Sequence, residues 1–239
     1  MLKVNQLTYR YPASEESESM SMCFDLSVER GQILSLIGPS GSGKSTLLNL
    51  IAGFIIADGG SIIIDDKEIQ NLDPAARPLS MVFQSHNLFP HLDVWTNIAL
   101  GIKASLRLNS EQKLSIQAAM HRLGLDGLQK RKPGQLSGGQ QQRVAIARAL
   151  VRQHPVLLLD EPFAALGPAL REEMLDIVKQ LVEAKKMAAI LVSHHPADAR
   201  RASAHTAFVY EGRIIKVAPT AELLADSEHD EIRHYLGAM

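Results

Sequence analysis

The nine residues Gly38-Pro39-Ser40-Gly41-Ser42-Gly43-Lys44-Ser45-Thr46 have the types and spacing to hold a chain of phosphates. Glycine has no Cβ, so backbone N–H groups can converge on an anion without steric conflict. A helix that begins where such a loop ends adds a partial positive charge at its first turn. In the pattern G-x-x-x-x-G-K-S, Lys44 reaches toward β- and γ-phosphates, and the Ser45 hydroxyl can ligate the Mg²⁺ that travels with a nucleotide. Composition alone produces such a match on the order of once in a hundred chains of this length. The loop reads as a nucleoside-triphosphate site.

Two further clusters carry chemistry. Asp160-Glu161 directly follows the apolar run Val156-Leu157-Leu158-Leu159. A carboxylate at the end of a buried strand beside a phosphate loop can hold Mg²⁺, directly or through water. Glu161, one residue on, can accept a proton from, or orient, a water that attacks the γ-phosphate. Leu136-Ser137-Gly138-Gly139-Gln140 is a second serine- and glycine-rich helix start. Ser137 is a good N-cap residue, and Val144, Ala147, Leu150 and Val151 give the following segment a helical spacing. One nucleotide needs only one such cradle. His194-His195 carries metal-ligating side chains, but no further histidine or cysteine sits at ligand spacing around the pair, which argues against a metal site.

The elements that must position these residues can be read outward from them. Ile33–Ile37 is a buried strand feeding the phosphate loop, and Leu47–Ala52 is helical up to Gly53, a C-terminal cap residue. Val4–Tyr9 and Met22–Val28 alternate like antiparallel strands at a sheet edge, joined by a loop through the acidic, serine-rich run Ser14–Ser19. Ser61–Asp65 and Leu79–Phe83 are further strands. From there to about His154 the chain turns helix-forming, with a start at Ser110 and Leu114, Ala118 and Leu125 on or near one face. Val156–Leu159 and Ala188–Val192 are buried parallel strands with an amphipathic helix between them through Leu170, Met174, Ile177 and Leu181. Thr206–Tyr210 and Arg213–Val217 form a hairpin across Glu211-Gly212. Strands alternating with helices around a phosphate loop imply an α/β fold with a mostly parallel sheet. The division is a core of about residues 1–85 and 155–239 with an inserted helical subdomain of about 86–154.

Composition narrows the class. The chain has 239 residues, 46% apolar and 21% charged, a net charge of −1 and a pI near 6.8. That balance offers no basic field for holding nucleic acid non-specifically. The longest apolar stretch, Leu47–Ala57, is interrupted by Asn49 and Gly53 and is too short to cross a bilayer. The start of the chain has no apolar signal region, and the lone Cys23 suits a reducing compartment, so a soluble cytoplasmic protein is expected.

The motifs occur in a telling order: Gly38–Thr46, Gln84 after a strand, LSGGQ at Leu136–Gln140, VLLLDE at Val156–Glu161, then Ser193-His194. In this the chain resembles the ATP-binding-cassette (ABC) ATPases over nearly its whole length. The resemblance implies a P-loop NTPase cassette with an antiparallel β edge subdomain, two ATP molecules with Mg²⁺, and a head-to-tail dimer with a second copy. Each ATP would lie on the loop Gly38–Thr46 of one copy and under Ser137, Gly138, Gly139 and Gln140 of the other. It further implies that Gln84 senses Mg²⁺ and the attacking water, Glu161 is the general base, and His194 contacts the γ-phosphate. Tyr11 would stack on adenine, with Tyr9 as the alternative.

The family usually reads S-A-L-D after the glutamate, proline and aromatic, whereas this chain reads Ala164-Ala165-Leu166-Gly167. The aspartate normally helps link the two active sites, so looser coupling or slower turnover is expected here. Family members that act on DNA or ribosomes carry coiled-coil inserts, zinc modules or a second cassette, none of which is present. A cassette without fused membrane spans resembles the ATPase subunits of bacterial importers. These sit on the cytoplasmic face of the inner membrane, bound to permease subunits and served indirectly by a secreted solute-binding protein. The stretch Phe83–Gly101 resembles the groove that receives the permease. Among importers the likeness is greatest to those for thiamine, on Leu47–Phe54, Asn87-Leu88-Phe89, Asn97-Ile98 with Gly101, and Leu159–Phe163, ahead of iron or molybdate types. The cassette does not touch the cargo, so no residue here reads it.

Overall fold

The computed structural model describes residues 1–12, 20–85, 87–226 and 228–237. The expected loop through Ser14–Ser19 lies outside the described residues. The described strands are β1 (Leu2–Arg10), β2 (Ser21–Val28), β3 (Ile33–Ile37), β4 (Gly59–Ile64), β5 (Lys67–Glu68), β6 (Leu79–Val82), β7 (Val156–Asp160), β8 (Ala188–Val192), β9 (His205–Tyr210) and β10 (Arg213–Pro219). They join in one sheet of order β5-β4-β1-β2-β10-β9-β3-β8-β7-β6. From β9 to β6 all neighbours are parallel, while β1, β2, β4 and β5 pair antiparallel. The two parts meet where β10 pairs antiparallel with β9 and touches β2 through the single pair Arg213–Cys23. The pair β1–β2 is not at the edge, because β4 and β5 extend the sheet beyond β1.

The eight helices described are α1 (Lys44–Ala52), α2 (Val94–Ala99), α3 (Ser110–Arg122), α4 (Gly138–Leu150), α5 (Pro168–Lys185), α6 (Pro196–Ala202), α7 (Thr220–Leu223) and α8 (Asp230–Gly237). Continuous apolar runs in the parallel strands are explained by cover on both faces. Val156, Leu158, Ile190 and Val192 join the core around α1, while Leu157, Leu159, Ala189 and Leu191 join the core around α5. Helix α1 lies between the parallel strands and the antiparallel ones. Leu47, Leu48, Leu50 and Ile51 are consequently all buried, and each contributes about 2 kcal/mol by leaving water.

The C-terminal end of α1 is fixed by charge. Gly53 takes a left-handed conformation (φ 83°), and its N–H returns to the Leu50 carbonyl at 3.2 Å. The buried Arg77 guanidinium donates to the carbonyls of Leu50 (2.8 Å) and Ile51 (2.7 Å), a cation where the helix dipole favours one. A side chain at Gly53 would collide with that guanidinium.

Helices α2, α3 and α4 lie in the chain between β6 and β7, and their buried face is shared with α5. Of the expected face of α3, only Leu125, just past the helix end, is buried. Leu114 and Ala118 are exposed, and the stripe that packs is Ile116, Met120 and Leu123, at i, i+4 and i+7. The helix begins at Ser110, as expected. Asn109 is the N-cap, reciprocally bonded with Gln112 at 2.8 and 3.0 Å, and Ser110 is the first helical residue. Strand β6 stops at Val82, and the Phe83 ring turns out to meet Phe54 at 5.9 Å.

Candidate nucleotide site

Four loops leave the C-terminal edge of adjacent parallel strands, where open α/β sheets hold their ligands. Strand β3 delivers Gly38–Gly43, β7 delivers Asp160-Glu161, β8 delivers Ser193-His194, and β6 delivers Gln84. The first three converge on a cleft of about 280 Å³ lined by Tyr11, Ser40, Lys44, Ser45, Glu161 and His194, among others. A larger hollow of about 440 Å³ opens at the opposite, N-terminal edge beside Arg30, Asp65, His154 and Lys185. No glycine loop reaches it.

The phosphate loop is shaped by its glycines. Gly38 (φ 146°) lies so close to the Val209 carbonyl that any Cβ there would collide with it. Gly43 (φ 103°) is the N-cap of α1 and offers no side chain, leaving the first N–H groups of the helix free to face an anion. Lys44 opens that helix with its ammonium turned back over the loop, donating to the carbonyls of Gly38 (2.8 Å) and Pro39 (2.7 Å) and to Ser42 Oγ (3.2 Å). Burial lowers its pKa to about 8, against the opposing pull of the Glu161 and Asp160 carboxylates.

Ser45 Oγ donates to Asp160 Oδ1 at 3.0 Å, which brings two oxygen ligands of the kind Mg²⁺ takes into direct contact. Burial and the neighbouring Glu161 push the Asp160 carboxyl above its ordinary range, while the Ser45 hydroxyl and the charges of Lys44 and His194 hold it down. Glu161 adopts a positive φ of 46°, a conformation costing a side-chain-bearing residue about 1 kcal/mol or more. Its N–H is held by the Val192 carbonyl at 3.1 Å, and its carboxylate pairs with His194 Nε2. His194 is thus joined to the residue expected to act as base.

The remaining expected residues are distributed unevenly. Tyr11 lines the cleft, with its hydroxyl 3.1 Å from Thr46 Oγ1, whereas Tyr9 packs edge-on behind it at 4.9 Å and against the β core. Gln84 is exposed, two residues past β6, and stands apart from the cleft lining. Ser137, Gly138, Gly139 and Gln140 are likewise absent from it. Ser137 caps α4 by accepting from the Gln140 N–H (3.3 Å), and the Gln140 side chain accepts from the Ser137 N–H (3.0 Å). Ser137 and Gly138 are exposed, and Gly139 is buried against Leu170. Within one chain, the two glycine-rich helix starts do not share a ligand.

Three contributors were not evident from the sequence. The Ser193 hydroxyl donates to buried Asp198 (2.6 Å) and accepts from the His195 N–H (3.0 Å), setting the turn that presents His194. Arg171 donates to the carbonyls of Phe163 and Ala164, each at 3.3 Å, and so holds the loop after Glu161. Tyr235, near the end of the chain, donates to the His194 carbonyl at 3.2 Å. A Ser followed five residues later by Asp could have signalled the first; the other two depend on the chain's path in space.

Comparison with known proteins agrees with this geometry. The family model described as ABC transporter matches residues 23–164. A thiamine import ATP-binding protein, ThiQ, of Photobacterium profundum is 46% identical over 240 residues, spanning 99% of this chain and 100% of that protein. Among solved structures, the dimeric bacterial ABC transporter cassette MJ0796 is 31% identical with a TM-score of 0.81, covering 92% of this chain and 99% of its own. The cassette cbiO1 of Clostridium perfringens, part of the transporter complex cbiONQ, is 27% identical with a TM-score of 0.83, over 95% and 91%. A sheet edge that gathers a phosphate loop, a Ser–Asp oxygen pair and a Glu–His pair, in a chain with these relatives, is an ATP-binding cassette, and the chain belongs to the ABC transporter family.

Proposed function

We propose that the chain is the ATP-hydrolysing subunit of an importer for thiamine. The observation that carries the ATPase half is the gathering of Lys44, Ser45, Asp160, Glu161 and His194 at one sheet edge. The cargo rests on near full-length similarity to thiamine import ATP-binding proteins, with ATPase subunits for other small solutes, iron or molybdate among them, as the alternative.

ATP binds with its phosphates against the N–H groups of Gly41–Thr46, and the Lys44 ammonium exchanges its loop carbonyls for phosphate oxygens. Tyr11, at the mouth of the cleft, stacks on the adenine. Ser45 and Asp160 would hold Mg²⁺, which would neutralise charge on the phosphate oxygens, with Gln84 as the expected further ligand once it is brought in from outside the cleft. The oxygen-only donor set and the Ser45–Asp160 contact suit that ion. Glu161 orients a water in line with the γ-phosphorus and takes its proton as the new P–O bond forms and the β–γ bridge breaks. His194, paired with Glu161 and lining the cleft, would contact the γ-phosphate.

Ser137 and Gly138 are exposed and outside the cleft; the Ser137 N–H is taken by Gln140, so the Ser137 hydroxyl and the Gly138 N–H are the groups that would meet a nucleotide on a second copy. A head-to-tail dimer closes each ATP between Lys44 of one chain and Ser137 of its partner. Among the described residues no helix is long and apolar enough to cross a membrane. In this reading the chain works on the cytoplasmic face of the membrane, bound to permease subunits through the stretch that resembles their docking groove. The test is ATP hydrolysis by the complex reconstituted with its permease and solute-binding protein. Thiamine should stimulate turnover; stimulation by another solute, with none by thiamine, overturns the cargo and leaves the ATPase intact.

A further inference from the structure

The last helix of the chain reaches the nucleotide site. Helix α8 packs through Ile232 and Tyr235 on Ile37, Ala199 and Phe208, the residues beneath the phosphate loop and α6. Its approach is set by the turn before it. The Asp226 carboxylate, 1% exposed, accepts from Lys216 Nζ (2.7 Å) and from the N–H groups of Glu228 (2.9 Å) and His229 (3.0 Å). That anchor ties α8 to β10. Tyr235 then lies with its ring 5.5 Å from Phe208, and its hydroxyl donates to the His194 carbonyl at 3.2 Å.

We infer that Tyr235 is a positioning residue for His194: its hydroxyl fixes the backbone of the β8–α6 turn so that the imidazole stays on Glu161. The inference rests on the proposed role of His194 at the γ-phosphate. His194 is half exposed, on a turn whose other side-chain tie is Ser193 to Asp198, so its backbone has few holds of its own. The hydroxyl is thus the one side-chain donor outside the turn that holds the His194 carbonyl among the described residues. Burial keeps the phenol protonated, the form able to donate to a carbonyl. Tyr235 touches neither substrate nor reacting atoms. Its effect should fall on turnover and leave ATP binding alone.

The test is Tyr235→Phe, which removes one oxygen and keeps the packing on Phe208 and Ile232. It is measured in the full chain assembled with its permease, by steady-state kinetics and by single-turnover hydrolysis, alone and combined with His194→Ala. The expected result is a kcat about fivefold lower at unchanged KM for ATP and unchanged melting temperature. In the His194→Ala background the second change should then cost less than about twofold, because the hydroxyl acts through that histidine. Wild-type kcat in Tyr235→Phe overturns the inference. So does an equal loss in both backgrounds, or a loss that appears as raised KM with a lowered melting temperature. If His194→Ala alone hydrolyses ATP normally, the reading of His194 falls and the inference with it; a slow His194→Ala beside a normal Tyr235→Phe sinks the inference only.

Discussion

Lys44 shows how a single side chain can serve two states. Its ammonium is satisfied by loop oxygens and buried, and burial brings its pKa to about 8. A bound triphosphate adds negative charge beside it and raises that pKa. Below pH 8 the lysine is charged both with and without ATP, so this group gives binding no pH dependence. Above pH 8 the free protein has lost the proton that the complex needs, and affinity falls by up to about tenfold per pH unit. Calorimetric titration with a non-hydrolysable ATP analogue between pH 7 and about 9.5 checks this. A flat profile contradicts the buried lysine. The types and order of these residues were readable in the sequence because phosphate binding is local backbone chemistry, confined to one loop and one helix turn. The contact of Tyr235 with His194 was not, since forty residues and two strands of β-hairpin separate two partners that only the finished fold brings together.

Elements were legible where a period and a cap agreed. Strands β3, β7 and β8 announced themselves as short apolar runs because both of their faces are covered. Helix α3 misled because its sequence offers two stripes. Leu114 with Ala118 follows the helical period as well as Ile116 with Met120 does, and only the position of α4 decides between them. Ile116→Ala should therefore cost about 2–4 kcal/mol of stability and Leu114→Ala less than about 0.5 kcal/mol, measured by denaturant unfolding. Equal losses would return the helix to the other face. The start of α5 carries a second consequence. Gly167 is its N-cap with extended φ and ψ (−65°, 159°), no side-chain cap, and open space where a Cβ would stand. Gly167→Asp should be accommodated, should cap the helix for a few tenths of a kcal/mol, and should raise both ATPase rate and cooperativity. If rate and cooperativity stay unchanged, the missing carboxylate does not loosen the link between sites.

At the scale of the whole molecule, the chain's path keeps the phosphate loop and the Ser137 helix start apart. The loops that bring Asp160, Glu161 and His194 to Lys44 leave the C-terminal edge of the parallel strands, while Ser137 heads a helix in the segment between β6 and β7 and stays outside their cleft. A symmetric pair arranged head to tail satisfies both ends twice over, as closed two-fold assemblies do. The central claim is that each catalytic site takes Lys44 from one chain and Ser137 from the other. Two variants isolate it: Lys44→Ala disables the phosphate loop, and Ser137→Arg blocks the helix start that covers a partner's ATP. Each alone should be inactive. Co-assembled in equal amounts with the permease, they should form mixed dimers in about half of the complexes, each with one intact site, restoring roughly a quarter of wild-type ATPase activity. A mixture no more active than its separate components would contradict the shared site.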